Sequence, residues 1–260
     1  MNKRIIPIVI VAVLIAVLSV SAINSNNESA VEIAESSLHE FLGAKDRDVT
    51  FKGTEDLYFT KHYIFTSKDG SMFRVDGNLK DVVSALFAEN YDDGNTLDVL
   101  ITMDEAEEYA RKYIEYASGG KKRELSIIEK SLKDHGAFKD YYFIFCEVSN
   151  DVMLFNRVII KINPSNGDVM SYNSINSPLN VSLNPKISIE KAEEIAVAQY
   201  KDISGAKCNS KLIVDYPNGK DQKLIWFITV TGEPKDMITQ GGDVTIDAMD
   251  GTVYTVNGFK

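Results

Sequence analysis

One pattern recurs three times along this chain. Ala30-Val31-Glu32-Ile33-Ala34, Ala106-Glu107-Glu108-Tyr109-Ala110 and Ala192-Glu193-Glu194-Ile195-Ala196 are followed at one offset by Leu38, Ile114 and Tyr200. Phe41, Ala117 and Ile203 follow at a second. Apolar residues at i, i+3, i+4, i+8 and i+11 share one face of a helix, so the repetition predicts three amphipathic helices. Asn26, Thr102 and Ser188 each precede the first Ala by four residues, where an N-cap belongs. Thr102 with Glu105 makes a capping box, which satisfies two otherwise unpaired amides.

The ends of the units also correspond. Ile162-Asn163-Pro164-Ser165-Asn166-Gly167-Asp168-Val169 matches Ile246-Asp247-Ala248-Met249-Asp250-Gly251-Thr252-Val253. The first copy reads Val75-Asp76-Gly77-Asn78-Leu79-Lys80-Asp81-Val82, with Lys80 where the others have Gly. An apolar strand, a polar turn and a returning strand describe a β-hairpin. Apolar runs at 62–67, 141–148 and 224–231 supply further strands. The expected fold is α+β: tandem modules, each one helix packed on a small antiparallel sheet. Their spans are 25–88, 99–174 and 186–260, separated by polar stretches at 89–98 and 175–186. The first copy is the shortest and most divergent, as a degenerate cap on the array would be.

Residues 1–24 set the compartment. Lys3 and Arg4 precede an apolar run over 5–20, and Val20-Ser21-Ala22 suits a signal peptidase. The segment reads as a signal peptide or, uncleaved, as a membrane anchor through residues 5–23. Residues beyond about 25 are expected outside the cell. The chain carries 28 basic against 38 acidic residues, a net charge of −10. That balance argues against nucleic acid as a partner. Cys146 and Cys208 fall in different units, and Cys146, within an apolar strand, is expected to be a buried free thiol.

The Ala-rich helix starts, the aromatic strand Leu224-Ile225-Trp226-Phe227-Ile228-Thr229-Val230 and the closing Ile246-Asp247-Ala248-Met249-Asp250-Gly251-Thr252-Val253 resemble the PepSY domain. Residues 187–257 resemble it most, 101–173 well, and the first unit only in outline. PepSY domains occur in propeptides of thermolysin-type metallopeptidases and in free-standing exported or membrane proteins. The resemblance implies an extracytoplasmic module that restrains peptidases or binds other envelope proteins, and it brings no catalytic residues.

The residues themselves offer little chemistry. His39-Glu40 lacks the second His of a zinc-peptidase helix. His62 falls in a strand and His135 in a loop, neither beside an evident partner. Gly119-Gly120-Lys121-Lys122-Arg123 lacks the Ser or Thr of a phosphate loop and reads as a solvated turn. Asp243, Asp247 and Asp250 depart from calcium-loop spacing. Trp226 is expected to pack beneath a helix, and side-by-side alignment sets Tyr63 and Tyr142 beside it.

No catalytic, cofactor-binding or metal-binding residue is assigned, and no cofactor is expected. The expected function is a non-enzymatic binding protein with a protein partner, a secreted peptidase or another envelope protein. A spacer in the cell envelope is the alternative. A sheet edge able to accept an extended peptide is the expected contact surface.

Overall fold

The fold is described from a computed structural model, over residues 25–43, 47–57, 60–92, 97–119, 123–200, 203–234 and 240–259. The apolar run at 5–20, with its signal-peptide or anchor reading, lies outside them. Among the described residues no helix is long and apolar enough to cross a membrane.

Among the described residues, three stretches of helix followed by four strands succeed one another. The first is α1 (Ser25–Leu42), β1 (Val49–Leu57), β2 (Thr60–Ser67), β3 (Met72–Asp76) and β4 (Val82–Leu86). A short helix, α2 (Glu89–Asp92), leads to α3 (Met103–Ala117), β5 (Leu125–Asp134), β6 (Lys139–Ser149), β7 (Val152–Ile162) and β8 (Val169–Ile175). The last comprises α4 (Ile189–Val197), β9 (Lys207–Asp215), β10 (Lys223–Thr231), β11 (Gly241–Asp247) and β12 (Val253–Gly258). Within each stretch the strands pair antiparallel in chain order.

The expectation of tandem modules on separate small sheets is corrected here, because all twelve strands belong to one mixed sheet. β4 and β8 close their own meanders and pair antiparallel with each other, Ala85 opposite Tyr172. An unpaired edge leaves backbone groups without partners, and this junction removes two edges at once. β9 joins β7 in parallel at Met153 and Ile213.

The cores follow the sheet. A single hydrophobic cluster runs from Leu38, Phe65 and Phe73 of the first unit to Ile114, Phe143 and Phe145 of the second. A second cluster holds Ala192, Ala196, Trp226 and Ile228 of the third unit and takes in Val152 and Leu154 of β7. The first unit therefore supplies half of a core that it shares with the second. At the start of the polar stretch after the first unit, Asn90 is buried. Asn90 donates through Nδ2 to the Val169 carbonyl at 2.7 Å, and Asn163 donates to the Asn90 carbonyl at 3.3 Å.

Helix starts follow the sequence at two places. Thr102 caps α3 with a complete capping box to Glu105, and Ser188 caps α4 by accepting from the Lys191 amide. Asn26 lies inside α1 rather than ahead of it. Small Ala side chains at 106, 110, 192 and 196 are fully buried and let α3 and α4 sit close to the sheet.

The hairpin turns share one construction. Asp76, Asn163 and Asp247 are buried and accept turn amides, from Asn78 and Leu79, from Ser165, and from Met249. Four residues on, Lys80, Gly167 and Gly251 have φ of 58°, 81° and 81°. Strand register corrects one alignment: Tyr63 pairs with Val75, Tyr141 with Ile162 and Trp226 with Ile246. Tyr141, not Tyr142, is thus the counterpart of Trp226. The Tyr141 hydroxyl donates to the Ile101 carbonyl at 2.6 Å, and Trp226 Nε1 donates to the Ile187 carbonyl at 2.9 Å. Each ring ties the residue leading into its unit's helix to the sheet.

Candidate binding cleft

The antiparallel β4–β8 junction places α1 and α3 over one shared core, with their C-terminal ends adjacent. Between these ends and the β7–β8 turn lies an open cleft of about 460 Å³. Its walls are Phe41 and Leu42 of α1, Tyr109, Tyr113 and Tyr116 of α3, Phe87 beyond β4, and Val169. Lys112, Asn90 and Asp168 supply the polar rim.

Aromatic packing holds the cleft in shape. Phe41 meets Tyr113 edge-on with centroids 6.0 Å apart, and Tyr113 meets Phe87 edge-on at 6.4 Å. Tyr109 lies against Gly167, where a Cβ would come within 2.7 Å of its ring. Burial raises the Tyr113 phenol far above its ordinary pKa, helped by the neighbouring Tyr172 and Tyr116. Tyr113 is therefore a neutral phenol at any physiological pH. Tyr109 and Tyr116 remain substantially exposed. Such a site can hold apolar or aromatic groups in contact with rings, while Lys112 at its rim pairs with Glu108 at 2.6 Å.

The sequence missed these residues. A stripe of Tyr at i, i+4 and i+7 on α3 was a signal available in advance. It marks an aromatic face, exposed at Tyr109 and Tyr116, beside the buried Ala stripe.

The histidines have acidic partners that their local sequence did not reveal. His135 Nε2 bonds Asp140 Oδ2 at 2.8 Å, and Lys161 Nζ reaches the same oxygen at 3.2 Å. Asp140 is fully buried, and its Oδ1 has no partner. Phe138 stacks on His135 and meets Tyr91, whose phenol is pushed up to about 12 by burial. A carboxylate-oriented imidazole is one half of an acid–base device. The partners the structure gives the His135 ring are Asp140 and the ring of Phe138. His62 lies buried on β2 opposite Asp76, with Nε2 3.5 Å from Asp76 Oδ2 and Nδ1 unpartnered. His39 stands 4.0 Å from Glu35 across one helical turn.

The remaining sequence candidates are engaged in local contacts. Arg123 pairs with Glu147 at 3.0 Å, while residues 120–122 lie outside the described residues. Asp243 accepts from Thr229, Asp250 from the Thr252 amide, and Asp247 from Met249 and Tyr254. Among the described residues no cluster of His, Cys, Asp and Glu is suited to a metal ion. Cys146 and Cys208 are free thiols, Cys146 buried beneath Arg157. Burial raises the pKa of the Cys146 thiol.

No known family profile matches the sequence, and no curated protein matches it. A solved structure does resemble it. The C-terminal domain of YpeB from Bacillus megaterium superposes with a TM-score of 0.52, covering 88% of this chain and 97% of that domain at 16% identity. At that identity the likeness speaks for architecture alone. The chain shares the fold of the YpeB C-terminal domain.

Proposed function

We propose that this protein is a non-enzymatic PepSY-type binding protein that works outside the cell and holds a segment of another protein in the α1–α3 cleft. The observation that carries this reading is the cleft itself. It is preformed by mutually packed rings, and Ser, Cys and His are missing from its described lining. Preformed apolar sites of this kind bury the apolar surface of what they hold. The PepSY-like patterns at 101–173 and 187–257 and the likeness to the YpeB C-terminal domain support the class. The occupant is a loop or strand bearing aromatic or aliphatic side chains, and the partner is a secreted peptidase or its pro-form. The continuous twelve-stranded sheet favours a second reading, a stiff spacer in the cell envelope.

The test is inhibition of a secreted metallopeptidase of the source organism by the purified protein, with Tyr109→Asp as the cleft variant. Inhibition that weakens by about tenfold in the variant supports the binding reading, since a buried charge opposes an apolar occupant. Full peptidase activity in the presence of excess protein sinks the peptidase arm and leaves the spacer.

A further inference from the structure

Among the described residues, three strands at the sheet margins have a single neighbour each: β1, β5 and β12. All three carry one irregularity of register, so a bulge does not distinguish them. Charge does. β1 bears Lys52, Glu55 and Asp56, and β5 bears Glu129, Lys130, Lys133 and Asp134. Charged side chains on an edge discourage a further strand. β12 has no charged residue between Val253 and Phe259.

The backbone of β12 is open. The Phe259 amide donates to the Gly241 carbonyl, and Asn257 and Thr255 stand opposite Asp243 and Thr245. In an antiparallel ladder hydrogen-bonded and non-bonded pairs alternate. Val256 and Gly258, at the intervening positions, therefore turn their N–H and C=O groups away from β11. Val256 is 43% exposed and Phe259 41%, which provides apolar contact beside those groups.

The hairpin is also of one charge. Between residues 240 and 259 there are three Asp, at 243, 247 and 250, and no Lys or Arg. Asp247 receives the Tyr254 hydroxyl at 2.7 Å, and Lys223 of β10 approaches it at 3.8 Å. Burial, the bond to Asp247 and the charges of Asp247, Asp250 and Asp221 push the Tyr254 phenol up to about 12. Asp247 and Asp250 thus both act on Tyr254 at the start of β12.

We propose that β12 is a docking edge for an extended, basic segment of a protein partner, which adds to the sheet as a further strand. Main-chain bonds to Val256 and Gly258 supply affinity, and Lys or Arg side chains facing the acidic hairpin supply selectivity. The proposal rests on the binding-protein reading but uses a surface remote in sequence from the cleft. Its test does not pass through the cleft.

The experiment uses fluorescent peptides that alternate Val and Thr, one capped by Lys at both ends, one by Glu, and one Lys-capped with a central Pro. Anisotropy with the full chain is expected to show the Lys-capped peptide binding about tenfold or more tighter than the other two. Higher salt is expected to weaken it. Hydrogen exchange is expected to show new protection at Val256 and Gly258 on adding that peptide, a readout in the wild-type protein that needs no variant to fold. Val256→Lys is expected to lose the preference, while Val256→Thr retains it. Equal binding of the Lys and Glu peptides, no binding, or protection elsewhere overturns the proposal. A dimer of the protein that Val256→Lys dissolves also overturns it, because a second copy would then be the occupant. Failure here with Tyr109→Asp still relieving peptidase inhibition leaves the cleft reading standing.

Discussion

The Tyr116 hydroxyl donates to the Phe41 carbonyl at 2.6 Å, tying the end of α3 to the end of α1. A helix's last carbonyls have no partner within the helix, and here a tyrosine from the neighbouring unit supplies one. Gly43 follows with φ of 52°, and a Cβ there would lie 2.5 Å from the same hydroxyl oxygen. Tyr116→Phe is expected to cost about 0.5–1.5 kcal/mol in urea unfolding. Gly43→Ala should cost more, through both the left-handed backbone and the clash. An unchanged urea midpoint in both variants would show that the helix ends are not coupled.

Lys80 occupies a left-handed position that Gly167 and Gly251 fill in the other units. A side chain there is strained, whereas Gly is not. Lys80→Gly is expected to stabilise the protein by about 0.5–1 kcal/mol, the relief of the left-handed strain less the backbone entropy that glycine loses. Gly167→Ala is expected to destabilise it by more than about 1 kcal/mol, because its Cβ meets the Tyr109 ring. Thermal unfolding of both variants checks the pair, and a lower Tm for Lys80→Gly would contradict the shared turn.

His62 makes stability depend on pH. Burial lowers its pKa in the folded protein, outweighing the attraction of Asp76 and Glu55, while Arg74 acts with burial. A histidine depressed on folding favours the native state in its neutral form. Its contribution is complete above the unfolded value of about 6.5 and is lost as pH falls through the lower folded value. The urea midpoint of the wild type is expected to fall below pH 6.5 more steeply than that of His62→Phe. Parallel profiles for the two proteins would remove His62 from the account.

The shared core makes the first two units one cooperative body. Phe65→Ala, in β2, is expected to cost about 3–5 kcal/mol. Amide exchange should speed up at Phe143 and Phe145 in β6 as well as in β2. Trp226, the single Trp, belongs to the other cluster and reports on the third unit. Faster exchange confined to β1–β4 would restore independent modules.

The repeat was legible where local chemistry repeats. Thr102 with Glu105, Ser188, the Ala stripes and the hairpin ends follow from spacing that neighbouring residues enforce. The β4–β8 pairing was not legible, since Val82 to Leu86 and Val169 to Ile175 look like any short apolar strands and their partner lies far along the chain. The confusion of Tyr141 with Tyr142 has a simple cause. In a strand a shift of one residue changes the face, and only the pairing with Ile162 fixes the parity. Asp140 and Asp76 escaped notice as histidine partners because cross-strand and hairpin geometry, not sequence motif, brings them to His135 and His62. The cleft was invisible for the same reason. Tyr109, Tyr113 and Tyr116 could be placed on one helix, but Phe41 and Phe87 reach them only through the junction.

The most direct test of the binding reading is site-specific photo-cross-linking in the cell. A benzophenone side chain replaces Tyr109 in the cleft, and a control probe replaces the exposed Lys211 on β9. The account predicts a discrete cross-linked species, carrying a secreted peptidase, from position 109 and not from position 211. The same products from both positions, or none from 109, would contradict it.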